Sequence, residues 1–327
     1  MKESKIIDQF GRKHDYLRIS LTDRCNLRCF YCMPEEGTDL IEKPNVMKLD
    51  EIIQISKSFI DLGVKTIRLT GGEPLIRKNF EFLIRELAGL GVELKLTTNG
   101  ILLDKYYDLF EEIGLKKINI SLDSLDKAKA AFITKRDYFD RIMGNIDDGM
   151  KRGFNLKLNI VLIRGTNDDE LPAFLEMTKK ANIQVKFIEF MPFRGNKWSW
   201  DKGVSESEIL GIAESKFGTL KKLDDPKHST SYNYQIEGFK GSFGIVSTIT
   251  NPFCQDCNRL RLTADGKMKN CLFAAKETDL LTLLRSGESL DSVILKSILE
   301  KKYSRDGMER MESGHYEQNR SMTSIGG

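Results

Sequence analysis

The chain has 327 residues, is 40% hydrophobic and 30% charged, and carries a formal net charge of +3. That length accommodates one barrel with an appendage, and the apolar-to-charged balance is that of an ordinary globular protein. So small a cationic excess does not itself imply nucleic-acid binding. No apolar run approaches the roughly 18 residues that span a bilayer, and Met1 to Asp8 lacks a signal core or transit-peptide character, so the expectation is a cytoplasmic protein with no membrane or nucleic-acid partner.

Tyr16 to Leu21 reads as a short strand. It runs into Asp23-Arg24-Cys25-Asn26-Leu27-Arg28-Cys29-Phe30-Tyr31-Cys32, three thiols at C-x3-C-x2-C spacing. Beyond this loop the chain repeats helix, glycine, strand. Leu49, Ile52, Ile53, Phe59 and Ile60, with Ser56, trace one helical face; Gly63 ends that helix, and Val64 to Leu69 follows as a strand. Phe80, Leu83, Ile84 and Leu87 form the next face, stopped at Gly89 or Gly91 before Val92 to Leu96. Gly114 precedes a strand over 115–120, Gly153 one over 154–161, and a helix around 171–181 leads to one over 183–190. Six strands alternating with helices imply a parallel sheet with right-handed crossovers. Periodicity leaves both an open doubly wound sheet and an incomplete barrel available.

From about Phe217 the rhythm breaks. Leu220 to Ser231 is polar, carries Pro226, and is expected as a linker or surface loop. Tyr234 to Phe239 and Ser242 to Ser247 read as short strands around Gly241, and Leu260 to Met268 as a hairpin about Asp265-Gly266. Leu280 to Arg285 and Val293 to Lys301 are expected helices, and 304–321 a polar, mobile stretch. The expected division is 1–217 and 218–327.

All six cysteines fall into two triplets: Cys25, Cys29, Cys32 and Cys254, Cys257, Cys271. A chain of this length without a secretory signal has no need of disulfides, and odd groups pair badly, so metal ligation explains the pattern better. Three thiolates on one tight loop can hold three irons of a four-iron cube and leave the fourth open to a small molecule. The alternative for either triplet is a zinc site completed by another ligand. The strand ends are unusually polar: Thr70-Gly71-Gly72-Glu73-Pro74, Thr97-Thr98-Asn99-Gly100, Ser121-Leu122-Asp123 and Glu189-Phe190-Met191-Pro192. In parallel α/β folds the working groups gather at those ends. Arg18, Arg68 and Lys157 lie inside strands between apolar neighbours, so alternation turns them to the opposite face and suggests an anionic ligand inside a barrel. Arg259 and Arg261 point to one side of a strand start, beside Cys257, as a phosphate clamp.

The C-x3-C-x2-C loop together with Gly-Gly-Glu-Pro resembles the radical S-adenosylmethionine enzymes, and the motifs as a set resemble the branch of that family that cyclises GTP at the start of molybdenum-cofactor synthesis. The resemblance extends from Leu17-Arg18-Ile19-Ser20-Leu21-Thr22-Asp23-Arg24-Cys25 through Cys257-Asn258-Arg259-Leu260-Arg261 to Ile325-Gly326-Gly327. It selects a partial (β/α)6 TIM-type barrel with a C-terminal α+β extension carrying a second iron–sulfur cluster. It implies two 4Fe–4S clusters, on Cys25, Cys29, Cys32 and on Cys254, Cys257, Cys271. S-adenosylmethionine would be bound by Tyr31, Gly72, Ser121 and Met191. GTP would be held by Arg18, Arg68, Thr97, Lys157, Arg259, Leu260 and Arg261, and Gly326 and Gly327 would thread into the site where a Cβ would clash. Also implied are a one-electron donor that the sequence does not identify, a homodimer, and a downstream cyclic pyranopterin monophosphate synthase.

Overall fold

The computed structural model describes residues 5–33, 40–307 and 319–326. Six parallel strands form the middle of one sheet: β1 (Tyr16–Ser20), β2 (Thr66–Thr70), β3 (Glu93–Thr98), β4 (Lys117–Ser121), β5 (Asn155–Leu162) and β6 (Gln184–Glu189), paired in chain order. Between them run helices α1 (Leu49–Asp61), α2 (Phe80–Gly89), α3 (Tyr107–Glu112), α4 (Lys127–Thr134), α5 (Phe139–Lys151) and α6 (Leu171–Lys180). The strands alternate as a half-barrel requires. In β5, Leu156, Leu158, Ile160 and Leu162 are buried, with half-buried Lys157, Asn159 and Val161 between them. The apolar face joins the helices in the main core, and the other face lines the lumen. On α1, Ile52, Ile55 and Phe59 are fully buried, and truncating Phe59 to alanine would cost about 3–5 kcal/mol.

After β6 the chain forms α7 (Glu206–Phe217), opened by a capping box in which Ser205 and Glu208 exchange hydrogen bonds. The strands β7 (Leu220–Lys222), β8 (Tyr232–Ile236) and β9 (Ser242–Val246) follow. Strand β9 pairs parallel with β6, and β8 and β7 add antiparallel rungs outside it. Residues 220–222 are thus an edge strand where a loop was expected. An outermost rung needs only backbone partners, so the exposed Lys221 and Lys222 do not oppose it. The chain then returns to the other edge, where β10 (Arg259–Leu262) pairs parallel with β1, and β11 (Lys267–Lys269) and β12 (Thr278–Asp279) continue antiparallel. The sheet therefore crosses residue 217, with strands from the last third of the chain on both sides of the central six.

Helix α8 (Leu280–Arg285) is tied to α1 by the Arg285 guanidinium on Glu51, 2.7 Å. Helix α9 (Asp291–Leu299) stops short of the expected end, capped at Glu300, so that Lys301 turns inward. Mobility expected over 304–321 does not hold at 319–321: Asn319 donates to the Leu272 carbonyl, 3.0 Å, and the Arg320 fork sits on both oxygens of Asp265, 2.9 Å each. A short helix α10 (Met322–Ile325) follows; 308–318 lie outside the described residues. Among the described residues no helix is long and apolar enough to cross a membrane.

Candidate active site

The loop after β1 carries Cys25, Cys29 and Cys32 as free, partly buried thiols. They line one cleft of about 200 Å³ together with Tyr31, Gly72, Thr97, Ser121 and Met191. Every residue expected around S-adenosylmethionine is therefore gathered beside the first cysteine triplet. Burial raises the pKa of all three thiols, Cys32 to about 12; Asp123, Cys32 and Cys25 raise Cys29 further, Cys25 and Asp123 raise Cys32, and Glu73 raises Cys25. Three soft donors that cannot comfortably ionise alone suit a cationic metal core, which displaces their protons. Among the described residues no three such groups converge on a point as a single ion requires. A four-iron cube, taking each thiolate at a different corner, does not ask for that convergence.

Two neighbours shape this loop. Asn99 aims its amide at the Cys25 sulfur, 3.8 Å, and at the Asn26 side-chain oxygen, 2.7 Å. The Tyr31 hydroxyl donates to Asp123, 2.6 Å, whose other oxygen accepts the Val161 amide, 2.8 Å. Burial pushes Asp123 up to about 6 against both hydrogen bonds. The glycines of Gly-Gly-Glu-Pro answer first to the cysteine loop's lead-in. A Cβ on Gly71 would stand 2.6 Å from the Thr22 carbonyl oxygen, and one on Gly72 2.3 Å from that of Arg24. Glu73 donates its own amide to Arg24, 2.8 Å, while its carboxylate accepts from Thr98, Asn99 and Leu75. Burial holds that carboxyl near pKa 7 despite them.

Further down the same strands lies a row of cations. Arg261, Arg18, Arg68 and Lys95 stand side by side on β10, β1, β2 and β3. Arg68 donates to the Tyr16 hydroxyl, 2.6 Å, the Leu96 carbonyl, 2.7 Å, and Thr97 Oγ1, 3.3 Å, joining this level to the cleft above. Burial and then Arg261 push the Arg18 pKa well down. Arg261 falls to about 10 from burial and Arg259, and Lys157 is lowered by burial and Arg68. Lys186, on the lumen face of β6, was missed in the sequence. It donates to Ser231, 2.9 Å, and burial, Lys157, Arg68 and Arg259 bring it down to about 7. Its signal was there, a lysine between Val185 and Phe187 in the pattern of Lys157. Strand alternation turns the Leu260 side chain away from Arg259 and Arg261 into the core, fully buried, which leaves only its backbone for the expected contact with GTP.

The second triplet lies toward the other end of the strands: Cys254 and Cys257 precede β10, whose first residue, Arg259, pairs with Tyr16 at the start of β1. Cys271 feels the charges of Cys257 and Cys254, so these three thiols also form one electrostatic group. Burial raises Cys257, but Arg259 and Lys301 outweigh it and bring the thiol down to about 6. The tail docks between the two triplets. Arg261 donates to the Gly326 carbonyl, 2.9 Å, Ile325 is buried with Phe193, Ile249 and Phe273, and Met322 lines the first cleft. Gly326 has φ +89°, and a Cβ there would stand 2.7 Å from Thr70 Oγ1. Gly327 lies outside the described residues. Glu189 fastens the extension to the barrel, accepting from the Ile249 amide, 2.7 Å, and from the Thr250 hydroxyl.

Residues 19–178 match the Radical SAM superfamily, and 183–306 match Molybdenum Cofactor Synthesis C. The GTP 3′,8-cyclase of Thermodesulfovibrio yellowstonii is 42% identical over 98% of this chain and 99% of its own length. The chain belongs to the GTP 3′,8-cyclase family. The mitochondrial GTP 3′,8-cyclase of Arabidopsis thaliana is 45% identical over 98% of this chain and 83% of its own. Human molybdenum cofactor biosynthesis protein 1 is 44% identical, and this chain spans about half of it, 45%. Streptococcus suis SuiB, solved with S-adenosylmethionine bound, shares the fold at TM-score 0.60 and 15% identity, over 93% of this chain and 72% of its own. Membership in this radical-SAM family brings S-adenosylmethionine and an iron–sulfur cluster to the chain.

Proposed function

We propose that this chain converts GTP to (8S)-3′,8-cyclo-7,8-dihydroguanosine 5′-triphosphate, the first step of molybdenum-cofactor biosynthesis, with a 4Fe–4S cluster on each cysteine triplet. The observation that carries it is the set of half-buried, mutually repelling cations Arg18, Lys157, Lys186 and Arg261, joined by the buried Arg68 and by Arg259, below a thiol-lined cleft. Buried like charges are costly unless a counter-charge joins them, and a triphosphate supplies it. Cys25, Cys29 and Cys32 would hold the first cluster, which when bound would supply one-electron reductive cleavage of S-adenosylmethionine.

The chain's own residues then place the substrate. The Arg259 and Arg261 forks and the Lys157 and Lys186 ammoniums hold phosphate oxygens, Thr97 is ordered by Arg68 toward the ribose, and Cys254, Cys257 and Cys271 would hold a second metal core that could take the guanine edge. Tyr31, Gly72, Ser121 and Met191 surround the nucleoside cofactor, with the Met191 carbonyl fixed by the Asn196 amide, 2.7 Å. Gly326 lies against Arg261, Ser20 and Thr70 on adjacent strands at one side of the site. Fixing C3′ against the reacting carbon in this way is where the protein's rate advantage arises. A cytoplasmic homodimer that passes its product to a cyclic pyranopterin monophosphate synthase completes the reading.

The test is metal analysis of the anaerobically prepared chain with product assay under S-adenosylmethionine, GTP and dithionite. About eight irons per chain and GTP-dependent formation of the cyclised nucleotide are expected. Zinc in place of iron, or 5′-deoxyadenosine without the cyclised product, would overturn it.

A further inference from the structure

Lys301 is only 2% exposed, although lysine is rarely buried without a matching charge. Its ammonium lies 3.7 Å from the Cys257 sulfur and donates to the Arg259 carbonyl, 3.0 Å. Its described hydrogen-bond partners are thus a carbonyl and a thiol, and its charge is felt by Cys257, Cys271 and the Asp306 carboxylate, of which only Cys257 stands within hydrogen-bond reach. The surrounding backbone leaves the side chain little freedom. Gln9 donates to the Lys301 carbonyl, 3.1 Å, and the Arg12 guanidinium to the carbonyls of Lys302, 3.0 Å, Tyr303, 2.7 Å, and Cys254, 2.7 Å. Arg12 is itself held by Asp8, 2.6 Å, which also meets His14, 3.0 Å. One clamp built from the N-terminal segment therefore ties the cysteine loop to the strand of chain that delivers the ammonium.

We propose that Lys301 is a positioning residue that raises the reduction potential of the second cluster, by holding a permanent positive charge against its Cys257 ligand. The inference rests on the two-cluster reading above. One electron from an external reductant takes a four-iron core from the 2+ to the 1+ state and makes the whole thiolate-bound site more negative. A cation fixed beside a ligand sulfur in a low-dielectric interior stabilises that product more than the oxidised form. Arg259 also reaches Cys257, but it belongs to the lumen row and changes environment when an anion binds, whereas Lys301 keeps its carbonyl and thiol partners.

The test is an EPR-monitored dithionite titration of the reconstituted full chain. A background with Cys25, Cys29 and Cys32 all changed to alanine isolates the second cluster. Lys301→Met should make one-electron reduction at least tenfold less favourable, a fall of 59 mV or more. Lys301→Arg should stay within threefold of the unsubstituted chain, and the first cluster should not move in either variant. An unmoved second midpoint in Lys301→Met, or an equal shift of both clusters, overturns the proposal. Should Lys301→Met lose its second-site iron, Lys301→Gln, which keeps a donor but no charge, takes its place with the same two outcomes. About four irons in the unsubstituted chain would overturn the two-cluster reading and this proposal with it. About eight with an unmoved midpoint would overturn the role of Lys301 alone.

Discussion

Replacing Gly326 by alanine tests whether the docked tail takes part in turnover. At φ +89° and ψ 108° the backbone sits where a residue with a Cβ is strained, by about 1–3 kcal/mol. The added methyl would also stand 2.7 Å from Thr70 Oγ1 and 2.8 Å from Ser20 Cβ, on two strand ends that cannot retreat. Relaxing the backbone instead gives up the charged hydrogen bond from Arg261, 2.9 Å, worth about 1.5–3 kcal/mol. Either route costs about 2–3 kcal/mol, so the undocked population should rise roughly 30- to 150-fold. Carboxypeptidase trimming of the native protein, followed by mass spectrometry, reads that population directly while opening is faster than cleavage. The variant should be trimmed at least tenfold faster with an unchanged melting curve, because the tail packs on a satellite cluster apart from the main core. Cyclised product should fall with it. A trimming rate within twofold of the unsubstituted chain refutes the steric argument, and faster trimming with full product formation refutes the tail's part in the reaction.

Cys25→Ala should abolish formation of 5′-deoxyadenosine, measured by chromatography of anaerobic reactions; its persistence would reject the first-site assignment. Arg259→Ala with Arg261→Ala should weaken GTP binding by calorimetry at least tenfold yet leave cofactor cleavage in the absence of GTP intact, and an unchanged dissociation constant would reject the clamp. Lys186, lowered to about 7 by burial and by Lys157, Arg68 and Arg259, is charged below that pH and neutral above it. Triphosphate binding favours the charged form, so affinity should decline as pH rises through 7, by at most about tenfold per pH unit. Lys186→Met should lose that slope, and a slope identical in both proteins would count against Lys186 as a phosphate ligand.

The six parallel strands and the first cleft were legible because alternation and loop chemistry are local signals. Arg18, Arg68 and Lys157 betrayed the lumen by standing between apolar neighbours, and Lys186 obeyed the same rule unnoticed. What could not be read locally was partnership. Nothing in Leu220-Lys221-Lys222 announces a strand, since it becomes one only because β8 lies beside it. Arg320 looked like part of a solvated run until Asp265 and Glu277 were found facing it, 2.9 and 2.5 Å away. The two glycines after Thr70 suggested close approach by a ligand, and their tightest neighbours are the carbonyls of Thr22 and Arg24.

The pairing of β10 with β1 has a consequence for biogenesis. The Asn258 amide that meets Asp15 beside that seam closes a separation of 243 residues, so on the ribosome the β1 rim of the half-barrel waits, unpaired, for the last quarter of the chain. Topologies of such high contact order assemble slowly, and naked rims invite pairing with other nascent chains. Iron delivered before that seam closes would meet cysteines whose neighbours are not yet in place, so maturation should favour metal loading after release.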